Sequence, residues 1–187
     1  MIQETIVTTQ NQAGVVHIAP MGIHITADDF IILPFKPSTT LDNLLENKVA
    51  VINYCDDVRV FAGCLTGRRD WPLKDAEHIT GKVLGCALAH TEVKVTRIEE
   101  DDLRPKLFCQ AVHTVNHAPF TGFNRAQYAV LEAAILVSRL HMLPLEKIDS
   151  DLAYLQIGVD KTAGDREKQA WVWLMTAVNN YKSTLNP

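Results

Sequence analysis

Hydrophobic positions fall in short β-rich blocks along the first two thirds of the chain and in helical spacing along the last third. Ile6 and Val7 among several Thr make Ile2–Thr9 a β-prone run, and Gln10–Gly14 has turn composition. With Val15–Ala19 as a second strand, the chain is expected to open with a hairpin. The stretch Asp28–Leu65 carries three apolar blocks, Phe30–Leu33, Val49–Tyr54 and Val58–Leu65, bounded by Pro, Asn and Asp. Blocks of that length and composition predict buried strands. A Pro-Ser-Thr-Thr corner and a short amphipathic helix from Leu41 separate the first two. Residues Thr66–Gly81 are polar and aperiodic and predict a long loop, in which Trp71 with Arg68 and Arg69 either touches a ligand or second subunit or anchors the loop to its own core. Lys82–Glu99 is a long β-prone run, Glu99–Asp102 an acidic turn, and Lys106–Val115 the returning partner.

After Pro119 the period changes to helical. Asn124–Leu143 predicts a helix capped by Asn124 and stopped by Pro144, apolar around most of its circumference. Arg125, Glu132 and Arg139 share one stripe at intervals of seven, either a solvated row of ion pairs or an arginine reaching an anion across a subunit boundary. Leu145–Gln156 predicts a further helix with Leu145, Ile148, Leu152 and Leu155 on one face. A last helix is expected from Asp165 to about Tyr181, with Trp171, Leu174, Met175, Val178 and Tyr181 inward.

Composition narrows the function classes. A hydrophobic content of 47% over 187 residues supports a sizeable core and rules out a disordered chain. The net charge of −4 with scattered Lys and Arg argues against a nucleic-acid partner. Ala126–Leu143, the longest apolar segment, is interrupted by Gln127, Glu132 and Arg139, so no membrane span is expected. The N-terminus lacks the pattern of a signal peptide, and Cys55, Cys64, Cys86 and Cys109 lie in apolar runs without C-x-x-C spacing. A cytoplasmic protein with reduced, buried thiols is the expectation. His113 and His117 would suit a metal on a helix, but on a strand they stand roughly 13 Å apart, so no metal is expected.

Two places carry candidate chemistry. Ser38, Thr39 and Thr40 put hydroxyls and unpaired N–H groups at a helix start, which serves equally as an ordinary cap or as a phosphate site. Pro20-Met21-Gly22, read as a strand end, gives either a plain turn or a surface on which a flat ligand can lie. No G-x-G-x-x-G, Walker A, G-x-S-x-G or H-E-x-x-H motif is present.

The order of several pieces resembles the flavin-reductase-like FMN-binding split barrel. Within it, the chain is similar to a domain-of-unknown-function family of archaea and methylotrophic bacteria. The pieces are Glu4–Thr9, Ala19-Pro20-Met21-Gly22, the corner from Pro34 to Leu44, Val51–Asp57, and the helix opening Asn124-Arg125-Ala126 with Glu132 and Arg139. The resemblance departs at His17, where relatives commonly carry a polar amide. It implies an α+β fold, a split β-barrel with a helical C-terminal part, as one domain over residues 1–187, with 1–120 mainly barrel and 121–187 mainly helical. It further implies FMN, a homodimer, and flavin contacts from Ala19, Pro20, Met21, Phe35, Ser38, Thr39, Thr40, Asn53 and Arg125. The phosphate is expected at the Ser38–Thr40 corner and the ring near the end of the second strand and Asn53. The function implied is a flavin-dependent oxidoreductase with an unidentified small-molecule substrate or electron donor, in the setting of pterin-linked one-carbon metabolism. A flavin or small-ligand binder without turnover is the alternative. No catalytic acid or base is assigned, because the flavin would carry the chemistry.

Overall fold

Alternating β-branched and polar residues build an antiparallel barrel from β1 (Ile2–Gln10), β2 (Val16–Ile25), β3 (Phe30–Ile32), β4 (Val49–Tyr54), β7 (Ala89–Glu99) and β8 (Lys106–Asn116). Two short strands between β4 and β7, β5 (Leu73–Asp75) and β6 (Lys82–Leu84), form a separate two-stranded sheet among the described residues. The computed structural model describes residues 1–27 and 29–185; Asp28, the first residue of the stretch expected to run to Leu65, lies outside them. The barrel closes in the order β1-β2-β3-β8-β7-β4, with Ile6, Val7 and Thr8 of β1 opposite Asn53, Ile52 and Val51 of β4. Val7, Ile23, Ile32, Ile52, Val93, Leu107 and Cys109 fill it, each fully buried. Burial of such side chains stabilises by roughly 1.5–3 kcal/mol each.

The helix α1 (Thr39–Asn47) adds Leu41 and Leu44 to that core. Ser38 caps it, accepting from Leu41 N at 3.3 Å, and Lys48 ends it in the left-handed region at φ 57°. Its polar side is tied down as well: Asn43 donates to Thr9 Oγ1 at 3.0 Å, and Asn47 to the Gln10 carbonyl at 2.6 Å.

Backbone contacts divide the chain into two units, Met1–Cys55 with Trp71–Phe120, and Asp56–Asp70 with the chain from Thr121 onward. The second unit is helical. It comprises α2 (Val58–Leu65), α3 (Arg125–Val137), α4 (Leu145–Thr162) and α5 (Asp165–Leu185), with one 3₁₀ turn at Leu140–Met142. Its core joins Val58 and Ala62 to Val130, Ala133, Ile148, Leu155, Trp171 and Leu174. Gly158 lets α4 approach α3 closely: a Cβ there would meet the Arg125 carbonyl oxygen at 3.3 Å. No helix among the described residues is long and apolar enough to cross a membrane.

Several expectations need correction. Val58–Leu65 is a helix, not a strand: Asp57 caps it, accepting from Arg59 N at 3.1 Å, and burial around most of its circumference hides the helical period. Arg59 accordingly lies on a helix, with its guanidinium paired to Asp57 at 2.6 Å. Residues Thr66–Gly81 are not one loop, since they contain β5, and Lys82–Glu99 is split into β6 and β7. The strand expected to stop at Ala19 continues to Ile25. Helix α3 ends at Val137, where Ser138 bonds back to the Ile135 carbonyl at 2.7 Å, so Arg139 falls outside it and the three-residue stripe is incomplete. Helix α4 runs six residues past Gln156, to Thr162. Cys64 and Cys109 are buried thiols as expected, but Cys55 and Cys86 are half-buried with sulfurs 3.4 Å apart.

Candidate functional site

The longer β2 changes the meaning of Ala19-Pro20-Met21. Pro20 stands opposite Ile6 in the β1 ladder, while β3 pairs with β2 only at His24 and Ile25. Among the described residues the outer side of β2 from Val16 to Ile23 therefore has no strand beside it. A proline is tolerated there because no ladder bond is lost on that side. Ala19, Pro20 and Met21 are all half-buried and lie along this open edge. Met21's carbonyl already accepts from Thr5 Oγ1 at 3.0 Å.

The chain leaves β3 through Pro34-Phe35-Lys36-Pro37, with a cis Lys36–Pro37 bond, and enters α1 at the Ser38–Thr40 corner. Of its three hydroxyl residues, Ser38 is half-buried and engaged as the cap, Thr39 is exposed, and Thr40 is buried at 3% exposure. The first turn of any α-helix has N–H groups with no partner inside the helix, and its end carries partial positive charge. Two cations lie in the segments that meet at this corner. Lys36 pairs with Glu100 at 3.0 Å, and the Arg104 guanidinium lies 4.4 Å from the centre of the Phe35 ring while donating to the Leu33 carbonyl at 3.0 Å. Phe35 itself is 55% exposed, a large aromatic surface for a residue so firmly held.

The turn that supplies Arg104 is closed by hydrogen bonds to Asp101. Asp101 accepts from Arg104 N at 2.6 Å and Leu103 N at 2.9 Å, and these two N–H groups hold its carboxyl below the ordinary range. The same turn is stitched to the corner where Lys36 N donates to the Leu103 carbonyl at 2.9 Å. Sequence reasoning missed both cations. Lys36 lay inside the corner it singled out, whereas Arg104 had no local signal, because only strand pairing brings β8 beside β3.

Asn53 lies on β4 as expected, yet its side chain is fully buried and engaged. Its amide nitrogen is shared among Ile6 O at 3.0 Å, Thr8 Oγ1 at 3.2 Å and Val51 O at 3.3 Å, and its oxygen accepts from Leu84 N at 2.8 Å. It holds the barrel wall. Arg125 is the first residue of α3 in the helical unit, where it lines a cavity of ≈ 210 Å³ with Tyr128, Tyr154 and Ile157. His113 and His117 do not meet each other: His117 bonds to His90 at 2.8 Å, and His113 lies against His78, ring centres 4.2 Å apart.

Two buried thiols make poor nucleophiles. Burial pushes Cys64 up to about 11 despite the opposing charge of Arg69, and Cys109 up to about 12.

Comparison with known proteins matches two family models in succession along the chain. The family model described as "Protein of unknown function (DUF447) N-terminal domain" matches residues 3–118, and that described as "Protein of unknown function (DUF447)" matches residues 124–176. An FMN-bound protein of Methanosarcina mazei, itself assigned to DUF447, matches at a TM-score of 0.81 and 23% identity over 94% of each chain. A 2-nitrobenzoate 2-nitroreductase of Pseudomonas fluorescens matches at 0.53 and 20% identity, over 61% of this chain and 64% of its own. Component B of a nitrilotriacetate monooxygenase from Mycobacterium thermoresistibile matches at 0.55 and 12% identity, over 64% and 72%. These likenesses are of fold.

Proposed function

The chain belongs to the DUF447 family, and on that premise we propose that it is a flavoprotein that binds FMN non-covalently and works as an oxidoreductase. The observation that carries the reading is the corner at Ser38: a capped helix start flanked by Lys36 and Arg104, directly after an exposed Phe35. The FMN-bound state of the Methanosarcina mazei relative supports it. When bound, FMN supplies hydride or single-electron transfer. The chain's own residues do the rest. The first-turn N–H groups with Thr39 and Lys36 meet the phosphate, and the open edge of β2 at Ala19, Pro20 and Met21, with Phe35, offers a flat apolar surface to the ring. Thr40 is buried at the corner, and Asn53 ties the barrel wall from within. Arg125 is carried over from the family resemblance, and an Arg125→Gln titration with FMN tests it separately.

The proposed protein is a cytoplasmic homodimer, in keeping with its four free thiols and with the exposed Tyr128, Tyr154 and Ile157 of the helical unit. A setting in pterin-linked one-carbon metabolism rests on the resemblance alone.

The experiment compares FMN with riboflavin, which lacks the phosphate. Wild type is expected to bind FMN more tightly. Ser38→Asp keeps a good N-cap but adds a negative charge, so it should weaken FMN more than about tenfold, leave riboflavin unchanged and leave the melting midpoint in place. Equal FMN affinity in wild type and Ser38→Asp removes the corner from the account. Anaerobic addition of NADH or NADPH then separates enzyme from binder: bleaching of the bound flavin is expected, and a flavin that neither nucleotide reduces counts for a binding protein.

A further inference from the structure

Away from the corner, the outer face of β7 and β8 carries a cluster of ionisable side chains that flavin binding does not use. Alternation along β7 sends His90 and Glu92 to one side, and the β7–β8 register sets His113 opposite Glu92. The segment between β5 and β6 crosses this face and brings Glu77 and His78 to it. One ligand atom from each of Glu77, His78 and His113 lies within 4.8 Å of the others.

The three are organised from beneath. Glu92 is wholly buried, and its two oxygens accept from the backbone N–H groups of Glu77 at 2.7 Å and His78 at 2.8 Å. A carboxylate that clamps both residues by their backbone fixes where their side chains start. Behind it, His90 Nε2 lies 3.5 Å from Glu92 Oε1, and His90 Nδ1 is bonded to His117. The clamp positions the backbone of two of the three residues, and the His90–His117 pair packs behind it.

One atom in this cluster lacks a hydrogen bond. His113 Nε2 is buried and forms no hydrogen bond among the described residues, although Glu77 Oε2 stands 3.5 Å away. A buried imidazole nitrogen left unpaired is costly unless something binds it. Two imidazoles and a carboxylate form the donor set of a borderline transition ion.

We propose that Glu77, His78 and His113 bind a divalent transition ion of the zinc class, with a fourth position open to water or a small ligand. Bonds of about 2.0–2.2 Å bring tetrahedral ligand atoms to roughly 3.3–3.6 Å from one another. The side chains of Glu77 and His78 are exposed and free to turn inward by that amount, while His113 is held by its strand. Two imidazoles exclude calcium and magnesium as the preferred ion, since those take oxygen ligands. Three protein ligands match the open, reactive kind of site rather than the closed structural kind.

The site is independent of the flavin reading, and its test uses the full-length chain after metal removal. Zn²⁺ is titrated in competition with a chromogenic chelator, and Co²⁺ by its visible spectrum. One ion per chain is expected, with a cobalt spectrum free of thiolate charge transfer. His78→Ala and His113→Ala should each weaken Zn²⁺ by about 100-fold or more, beyond the 10–100-fold typical of outer-layer partners. Because His78 and Glu77 are exposed, His78→Ala and Glu77→Gln keep the test decisive should His113→Ala fail to fold. The double variant Cys55→Ser/Cys86→Ser should bind Zn²⁺ as wild type does. Unchanged affinity in His78→Ala, or loss of binding in the cysteine variant, overturns the assignment.

Discussion

The two units bury polar groups for different purposes. In the helical unit the buried ionisable residues Asp57 and Glu167 work at helix starts: Asp57 caps α2, and Glu167 accepts from Gly164 N at 2.9 Å just ahead of α5. The rest of that unit's core is aliphatic and aromatic. In the barrel unit, Thr8, Asn43, Asn53, His90, Thr91 and Glu92 are buried and bonded to residues far along the chain. Helices satisfy their own backbone, so their buried polar groups need only close the ends. A barrel with an added two-stranded layer leaves N–H groups, such as Leu84 N, that only a side chain from another strand can reach. The lesson is that polar groups suited to binding gather in the barrel unit, where long-range polar bonds already hold side chains in place.

Four measurements test that contrast. The largest effect is expected from Leu174→Ala in α5, which removes a fully buried side chain from an apolar core and should cost about 2–5 kcal/mol, read as lost helical ellipticity on heating. A cost below about 1 kcal/mol would mean that the helical core is loosely packed and would break the comparison. Asn53→Leu keeps the volume but strands Leu84 N, and should destabilise by about 1–3 kcal/mol in urea unfolding. A neutral result there would show the barrel's polar links to be dispensable. Asp57→Ala removes a cap and should cost about 0.5–2 kcal/mol, with Asp57→Ser recovering most of it.

The smallest effect is a slope with pH. Burial lowers His90 below the ordinary 6.5, aided by His117 and His113 and opposed by Glu92. The unfolded chain therefore binds the extra proton first, so stability is complete above about 6.5 and declines as pH falls from there towards the lower folded value. Glu92 acts in the same direction at lower pH, below its ordinary 4.5. Melting midpoints across this range should drop for wild type and flatten above pH 5 in His90→Gln. A midpoint that rises on acidification would reverse the assigned sign.

Where local pattern and tertiary setting agreed, the sequence was readable. Strands β1, β4 and β8 and the capped start of α1 were legible because their alternation and caps are written in adjacent residues. Helices α3, α4 and α5 were found at their starts, and Trp171, Leu174 and Val178 turned inward as their spacing requires. Val58–Leu65 was misjudged because burial on most sides removes the period that separates helix from strand. The better signals there were Asp57 as a cap and the Ala62-Gly63 pair, which few strands carry.

Of the candidate site, the corner is written in adjacent residues: Ser38 as an N-cap, Thr39 and Thr40 behind it, and Phe35 and Lys36 ahead of it. These depend on neighbours within a few residues, and short-range sterics and hydrogen bonding decide them. Tertiary structure alone decided the open edge of β2 at Pro20, since it depends on how far β3 extends. It also brought Arg104 to Phe35, and Glu77 and His78 to His113. Those meetings follow from strand order and from a segment folding across a sheet, and closing a loop costs entropy that only the whole packed barrel repays. For that reason no window of sequence contains them.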